Sequence, residues 1–183
     1  MAAFESFKKR YGEPQACVPA PAASIEQYGG KLPEALLQEW QASGWCRYGD
    51  GLFWIVNPSE YVEILSDWTA DPEETYVISR TAFGGLIVWD DNQAYFIDVV
   101  TGDTLPMLDS VEELFDDMLT DDSFALNEFR LKDFEAAVAR LGILEQDECY
   151  GYFPPLALGG PGTVETIRKI KLREHLHFLS QLT

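Results

Sequence analysis

The sequence predicts an α+β protein, in which an antiparallel sheet with flanking helices is followed by a mainly helical C-terminal region. Two observations carry this prediction. Short strand-like runs, separated by Gly and Asp turns, crowd into residues 76–108, and apolar residues recur at helical spacing on either side of them. With 183 residues, 46% of them apolar, the chain is long enough for one large domain or two small ones.

The N-terminal part mixes helices with a hairpin. Its predicted elements are a helix over 4–11, a loop or extended arm up to Gly30, a helix over 33–43, a hairpin of 45–48 with 52–56, and a helix over 57–68. Glycines mark the ends of the first two helices, and the Gly-Asp-Gly turn before Leu52 marks the hairpin. Asn57 caps the third helix, with Pro58 in its first turn.

Strands dominate the next segment, and helices the one after it. The predicted strands are 76–80, 86–90, 94–100 and 104–108; helices are predicted over Asp109–Asp122, Phe124–Arg140 and from Thr163 onward, with a tightly folded segment over Tyr150–Gly162. We place a domain boundary after Leu108. Residues 1–108 and 109–183 then form two regions packed together, because no flexible linker separates them.

Charge is concentrated in the middle of the chain. The formal net charge is −18, and residues 60–150 carry 23 acidic and 4 basic residues, a net charge of −19. Such a field repels nucleic acid and anionic membranes and attracts basic partners. The first ten residues lack the apolar run of a secretory signal and no segment is apolar enough for a membrane span, so we expect a cytoplasmic protein.

Nine acidic residues are the candidates for a partner-binding face. They are Asp90, Asp91, Asp109, Glu112, Glu113, Asp116, Asp117, Asp121 and Asp122. Seven of them belong to the helix predicted over Asp109–Asp122, where the acids in its second half oppose the helix dipole. The alternative is a solvated amphipathic helix that keeps an acidic protein soluble.

The sequence contains no recognisable catalytic or metal-binding constellation. His175 and His177 lie two residues apart on a predicted helix and therefore point about 200° apart, which prevents them from sharing a metal. Cys17, Cys46 and Cys149 are odd in number and form no CxxC pair, so we expect reduced, semi-buried thiols. We predict no catalytic residue, no metal, no cofactor and no enzymatic activity.

A glycine-rich loop precedes the last predicted helix. Leu158–Thr163 resembles an anion cradle at a helix start, although it lacks the Gly-Lys-Thr end of a P-loop and Pro161 removes a donor. We favour a tight structural turn. The anion cradle remains the basis of an alternative function, a cytoplasmic regulatory or small-anion-sensing module.

Two sets of motifs resemble known families. The stretches Lys31–Leu37, Gly44-Trp45 and Asp50–Pro58 resemble the GAD-like domain, and Glu148–Gly160 with Glu174-His175-Leu176 resembles the C-terminal domain of type VI secretion DNase-immunity proteins. Pro154-Pro155-Leu156 departs from the Pro-Ala-Leu of the second pattern, a change that should stiffen the loop. Together the two resemblances cover almost the whole chain.

The resemblance implies a bacterial protein that binds and neutralises a cognate toxin nuclease without catalysis of its own. It assigns no contact residues, because the matching motifs consist mainly of Gly, Pro and aromatic residues. Combined with the charge distribution, it suggests that the acidic face blocks the basic DNA-binding or active-site cleft of the toxin.

Overall fold

The computed structural model describes residues 3–183, and it has the predicted α+β architecture. Seven strands form one antiparallel sheet in chain order, β1 to β7. They are β1 (Gln15–Val18), β2 (Trp45–Tyr48), β3 (Phe53–Ile55), β4 (Tyr76–Thr81), β5 (Leu86–Asp90), β6 (Gln93–Asp98) and β7 (Asp103–Pro106). The predicted strands correspond to β2 to β7, with small shifts at their ends.

Four helices from the N-terminal part of the chain flank this sheet. They are α1 (Glu5–Tyr11), α2 (Ala22–Tyr28), α3 (Glu34–Ser43) and α4 (Val62–Leu65), the last preceded by a 3₁₀ turn at Pro58–Glu60. Gly12 and Gly44 end α1 and α3 as predicted, and the side chain of Asn57 caps the 3₁₀ turn by accepting from the amide of Ser59 at 3.1 Å. These local signals specified the ends of α1 and α3 correctly, whereas the helix predicted over 57–68 is a 3₁₀ turn followed by the four-residue α4.

The segment predicted as a loop or extended arm contains both β1 and α2. All four residues of β1 are exposed, so the strand forms through backbone pairing with β2 and has no apolar alternation to reveal it. Helix α2 buries only Tyr28. In both elements tertiary contacts replace the hydrophobic periodicity on which the prediction relied.

The C-terminal region is mainly helical but includes a two-stranded hairpin. Its helices are α5 (Val111–Glu113), which continues as a π-helical turn (Leu114–Met118), α6 (Asp122–Asn127), α7 (Leu131–Leu141) and α8 (Leu172–Ser180); its strands are β8 (Glu148–Tyr152) and β9 (Ile167–Lys171). The helix predicted over Phe124–Arg140 is divided, because Arg130 adopts a left-handed conformation with φ 55°.

The prediction of a helix from Thr163 onward is wrong for its first half. Ile167–Lys171 pairs with β8 as a strand, and the helix begins at Leu172. Burial alternates only between Ile167 and Arg168, so it is the pairing with β8 that identifies the strand. The segment over Tyr150–Gly162 likewise begins inside β8 before it becomes a loop.

One aromatic cluster joins the two regions of the chain. Phe4 stacks on Phe115 with ring centroids 4.2 Å apart, and Phe129 packs edge-to-face on Phe53 at 5.0 Å and on Phe96 at 5.3 Å. All five rings are nearly inaccessible to solvent. Helices α5 and α6 with the chain that follows them therefore complete the core of the sheet.

The expectation that all three cysteines are unpaired does not hold for Cys17 and Cys46, which the fold brings within bonding distance. Cys17 on β1 and Cys46 on β2 form a disulfide across the first strand pair, and Cys149 is a free, buried cysteine. Burial raises the pKa of the Cys149 thiol to about 12. The spacing of 29 residues between Cys17 and Cys46 matches no local motif, so only the pairing of β1 with β2 brings them together.

Candidate interaction surface

The predicted acidic helix is amphipathic, but it is shorter than expected. Ser110 caps it, with its hydroxyl oxygen accepting from the amide of Glu113 at 3.2 Å, and a π-type bond joins the amide of Leu119 to the carbonyl of Leu114 at 2.9 Å. The apolar side of the helix is buried, apart from the half-buried Met118. Its acidic side exposes Glu112, Glu113 and Asp117, and Asp116 is half-buried.

Two of the nine candidate acids contact the chain's own first helix. Asp116 Oδ1 accepts a hydrogen bond from the amide of Phe7 at 3.1 Å, which places a carboxylate at the positive end of α1. Asp122 forms an ion pair with Arg10, with 2.7 Å between oxygen and nitrogen. Both acids therefore help to dock α1 on the C-terminal region.

Asp121 has a local role that the sequence pattern did not reveal. Its Oδ1 accepts from the amide of Phe124 at 2.9 Å and caps α6. An aspartate at this position satisfies one of the free amides at the start of a helix. Its carboxylate remains exposed and is not committed to a basic side chain of the described chain.

The structure brings the β5–β6 turn next to the start of the acidic helix. Asp91 and Asn92 form the two-residue turn, with φ of 44° and 62°, as the Asp-Asp-Asn sequence favours. Asn92 lies with Asp109 and Glu112 along a surface depression of about 370 Å³. Asp91 and Asp109, which lie 18 positions apart in sequence, thus belong to one end of the molecule.

Five of the nine acids are exposed, have no basic side chain within 4.0 Å among residues 3–183 and, unlike Asp121, do not cap a helix. They are Asp91, Asp109, Glu112, Glu113 and Asp117. We call these five the open acidic set. Asp90 is half-buried at the end of β5. The open acidic set is the part of the predicted face that carries uncompensated negative charge.

A groove of about 570 Å³ lies between residues 60–64, which come before β4, and residues 145–147 and 171–174 of the C-terminal region. Arg173 Nη2 on α8 donates to the carbonyl of Glu60 at 2.7 Å, and His177 Nδ1 lies 2.8 Å from Asp67. At the groove, Lys171 donates to Asp147 at 2.6 Å; this hydrogen bond lowers the pKa of Asp147 and raises that of Lys171. No local sequence pattern indicated this groove, because its two walls lie about 110 positions apart.

The two histidines differ in environment, as their spacing predicts. His175 is buried, and burial lowers its pKa to about 4, whereas His177 is exposed on the opposite side of α8. Among the described residues, no group of three or more His, Cys, Asp or Glu is placed to hold a metal ion. None of the described helices has the length and apolar character needed to cross a membrane.

The glycine-rich loop is a closed turn. The amides of Leu158, Gly159 and Gly160 donate to backbone carbonyls within the loop at 2.9–3.0 Å. A Cβ on Gly160 would lie 1.9 Å from the carbonyl oxygen of Pro154. Because the loop's amides are used internally and no long helix starts at Thr163, the anion cradle has no structural basis here.

Two large apolar side chains are exposed on this loop. Phe153 is 60% exposed and Leu158 is 57% exposed, more than the other exposed large hydrophobic residues described. Exposed aromatic side chains of this kind often act as anchors at protein–protein interfaces. Both residues lie in the tightly folded segment predicted over Tyr150–Gly162, and no sequence pattern indicated a role for them.

Comparison with known proteins finds two family matches and similar solved structures. Residues 2–101 match the model of the GAD-like domain, and residues 109–183 match the model described as T6SS immunity protein Tdi1, C-terminal. No curated protein matches the chain. The crystal structure of Atu4351 from Agrobacterium tumefaciens aligns with a TM-score of 0.77 at 20% identity, covering 97% of this chain and 88% of that one. That likeness shows a shared fold, and the family matches confirm the resemblance inferred from the sequence.

Proposed function

The chain belongs to the GAD-like domain family, and from this together with its C-terminal match we infer that it is a type VI secretion immunity protein. We propose that it binds and neutralises a cognate nuclease toxin and has no catalytic activity of its own. In this proposal an acidic surface blocks the basic DNA-binding or active-site cleft of the toxin. The match of residues 109–183 to the Tdi1 C-terminal model is the observation that carries it.

The distribution of charge supports the acidic-surface mechanism. A nuclease must attract the DNA phosphate backbone and therefore carries a basic cleft. The open acidic set offers a complementary field, within residues 60–150 that carry a net charge of −19. Such complementarity increases association rate and specificity more than affinity.

Affinity in this proposal depends on apolar anchors in addition to charge. Phe153 and Leu158 are suited to this role, because each presents a large exposed apolar side chain on a loop that its own hydrogen bonds hold rigid. We therefore assign association rate mainly to the open acidic set and dissociation rate mainly to these anchors.

The test uses the purified protein and a nuclease toxin chosen as the candidate partner from the genes adjacent to its own. Glu112→Gln, Glu113→Gln and Asp117→Asn together should slow association about 10-fold or more at low salt, with the difference shrinking as salt screens the field. The matched control replaces Glu13, Glu26 and Glu165, three exposed acids outside the face, with Gln. Equal association rates for the two triple variants would exclude the acidic-surface mechanism while leaving immunity itself open.

We also propose that residues 1–108 and 109–183 are two sequence domains that fold as one unit. Helix α1 of the first contacts the π-helical turn of the second through Phe4–Phe115 stacking and the Asp116–Phe7 hydrogen bond. Expression of 1–108 alone should give a protein without a cooperative unfolding transition, whereas a cooperative transition in that fragment would mean that the two domains fold independently.

A further inference from the structure

Arg80 is a fully buried cation without an anionic partner. It lies on β4 with a relative exposure of 0%, and no carboxylate of the described chain comes within 4.0 Å of its guanidinium. Its Nη2 donates to the carbonyl of Gln146 at 2.9 Å, and its Nη1 lies 3.5 Å from the carbonyl of Thr81. Its Nε is buried and has no hydrogen-bond partner.

The aromatic ring of Trp54 supports this guanidinium on one side. Arg47, Trp54 and Arg80 are successive cross-strand partners on β2, β3 and β4, so their side chains share one face of the sheet. The guanidinium carbon of Arg80 lies 4.4 Å from the Trp54 ring centroid, and that of Arg47 lies 5.9 Å from it. Contact with the ring holds the Arg80 guanidinium in a fixed orientation.

A small cavity adjoins Arg80, and several other hydrogen-bond donors line it. Its volume is about 50 Å³. Trp45 contributes an indole Nε1 that is buried and unpartnered, and Tyr61 contributes a hydroxyl whose pKa is raised by burial, so that it stays neutral and able to donate. The cavity shares Glu60, Tyr61 and Gln146 with the larger groove, which therefore borders it.

Burial of this charge is unfavourable, and a bound anion would offset the cost. A guanidinium does not deprotonate in proteins, and the cation–π contact with Trp54 offsets only part of the cost of burying an unpaired charge. The donors around the cavity disfavour a cation. Its volume exceeds the ~10–15 Å³ that one water molecule requires and suits three heavy atoms, which excludes a nucleotide or a sugar phosphate.

We propose that this cavity is a binding site for a single carboxylate group, which Arg80 holds through its forked guanidinium with help from the Trp45 indole and the Tyr61 hydroxyl. The carboxylate comes either from a small free acid or from an acidic side chain of a bound protein. Planar, bidentate pairing with carboxylate is the interaction to which guanidinium geometry is best suited.

Sodium formate is the probe, because it is a carboxylate of the right size. Thermal unfolding is followed as formate replaces sulfate at constant ionic strength. The melting temperature of the wild type should rise by about 2–5 °C more than that of Arg80→Met in the same buffers. This difference should saturate as the formate concentration increases. Arg80→Lys keeps the charge without the fork and should show a weaker rise; it also serves if the Met variant fails to fold.

Arg47→Met is the matched control. It removes the same kind of side chain from the same face of the sheet, but Arg47 donates to Gln15 at 3.0 Å and does not line the cavity. This variant should respond to formate like the wild type. An equal response in Arg80→Met and wild type, or the absence of any saturating response in the wild type, would overturn the proposal.

Glu60 is the carboxylate that lines the cavity from within the chain, and it is exposed. Glu60→Gln should leave the formate response intact or increase it, because it removes a neighbouring negative charge. A response seen in Glu60→Gln and absent from the wild type would mean that Glu60 itself occupies the site, which also overturns the proposal.

A second arm distinguishes the two sources of the carboxylate and rests on the proposed immunity function. If an acidic side chain of the toxin fills the cavity, Arg80→Met should weaken toxin binding about 10-fold or more, and formate should compete with the toxin for the wild-type protein. If a free acid fills it, toxin binding should be unaffected by either change. The formate experiment needs no toxin. It therefore still tests the carboxylate site if the protein turns out not to be an immunity protein.

Discussion

The Oδ1 atom of Asp116 accepts a hydrogen bond from the backbone amide of Phe7 at 3.1 Å, although the two residues lie 109 positions apart. This bond caps the start of α1 from outside the helix, because Phe4, the residue at the capping position, provides no side-chain hydrogen bond. Tyr11 continues the contact by donating to the carbonyl of Leu119 at 2.6 Å. One side of the acidic helix therefore contacts α1, and another side is exposed to solvent.

Replacement of Asp116 by Ala should lower the free energy of unfolding by about 0.5–2 kcal/mol, the usual cost of losing a helix cap. Asp117→Ala is the matched control, because Asp117 is exposed and its loss should change stability by less than about 0.5 kcal/mol. Urea denaturation of the three proteins measures both values. Equal stability of the two variants would show that the Asp116–Phe7 bond contributes nothing.

Substitutions of Arg130 and Asp98 should have non-additive effects on stability, because the two residues form an ion pair. Arg130 Nη2 lies 2.7 Å from Asp98 Oδ2, and Asp98 is buried, so Arg130→Met leaves a carboxylate without its partner and should cost about 3–5 kcal/mol. Arg130→Met with Asp98→Asn should cost less than the sum of the single changes. Chemical denaturation of the wild type, both single variants and the double variant measures these free energies of unfolding. A double variant whose loss of stability equals the sum of the single losses would contradict the coupling.

His175 should make the protein less stable as the pH falls from about 6.5 to 4. Burial lowers the pKa of His175 from 6.5 to about 4, so within this window the unfolded chain binds a proton that the folded chain does not. Stability therefore increases with pH across the window, by about 3 kcal/mol in total from this residue. His175→Leu should remove this part of the pH dependence, and His177→Gln is the control.

NMR titration of the histidine rings tests the same prediction without a substitution at His175 itself. The resonance missing from His177→Gln identifies His177, and the remaining signal should titrate with a midpoint near 4. A midpoint near 6.5 for His175 would show that its ring is accessible to water in the folded state.

The Cys17–Cys46 disulfide bears on where the protein acts. We propose a cytoplasmic site of action, and cytoplasmic thiols are normally kept reduced. Cells quenched in acid and alkylated before mass spectrometry should therefore yield both cysteines as free thiols, whereas the purified protein in air should contain the bond. Complete oxidation of the pair in the quenched cells would contradict a cytoplasmic location.

Much of the fold was predictable because its signals are local. Gly12, Gly44 and Gly142 mark helix ends, and the turns at Asp50 and Asp91 mark hairpins, so the order of most elements followed from neighbouring residues. Strand β1 and strand β9 were missed because their partners are distant in sequence and their own apolar alternation is weak. Backbone pairing determined these two strands.

The candidate surface was predictable in composition but not in function. The sequence identified all nine acids, yet it could not show that Asp116 caps a helix formed by residues 5–11 or that Asp122 pairs with Arg10. Arg80 offered one signal that was not used, namely a lone cation inside the otherwise uncharged strand Tyr76–Thr81. Only the packing of the sheet shows that this cation is buried.

The docking of α1 has a consequence for protein synthesis. At about 5–20 residues per second, the ribosome adds the 109 residues between Phe7 and Asp116 in roughly 5–20 s. Throughout that interval Phe4 and Phe7 lack Phe115, the ring on which both pack. The nascent chain therefore carries an uncovered aromatic patch near its start, and slower translation of residues 12–115 prolongs the period in which chaperones or other nascent chains can bind it.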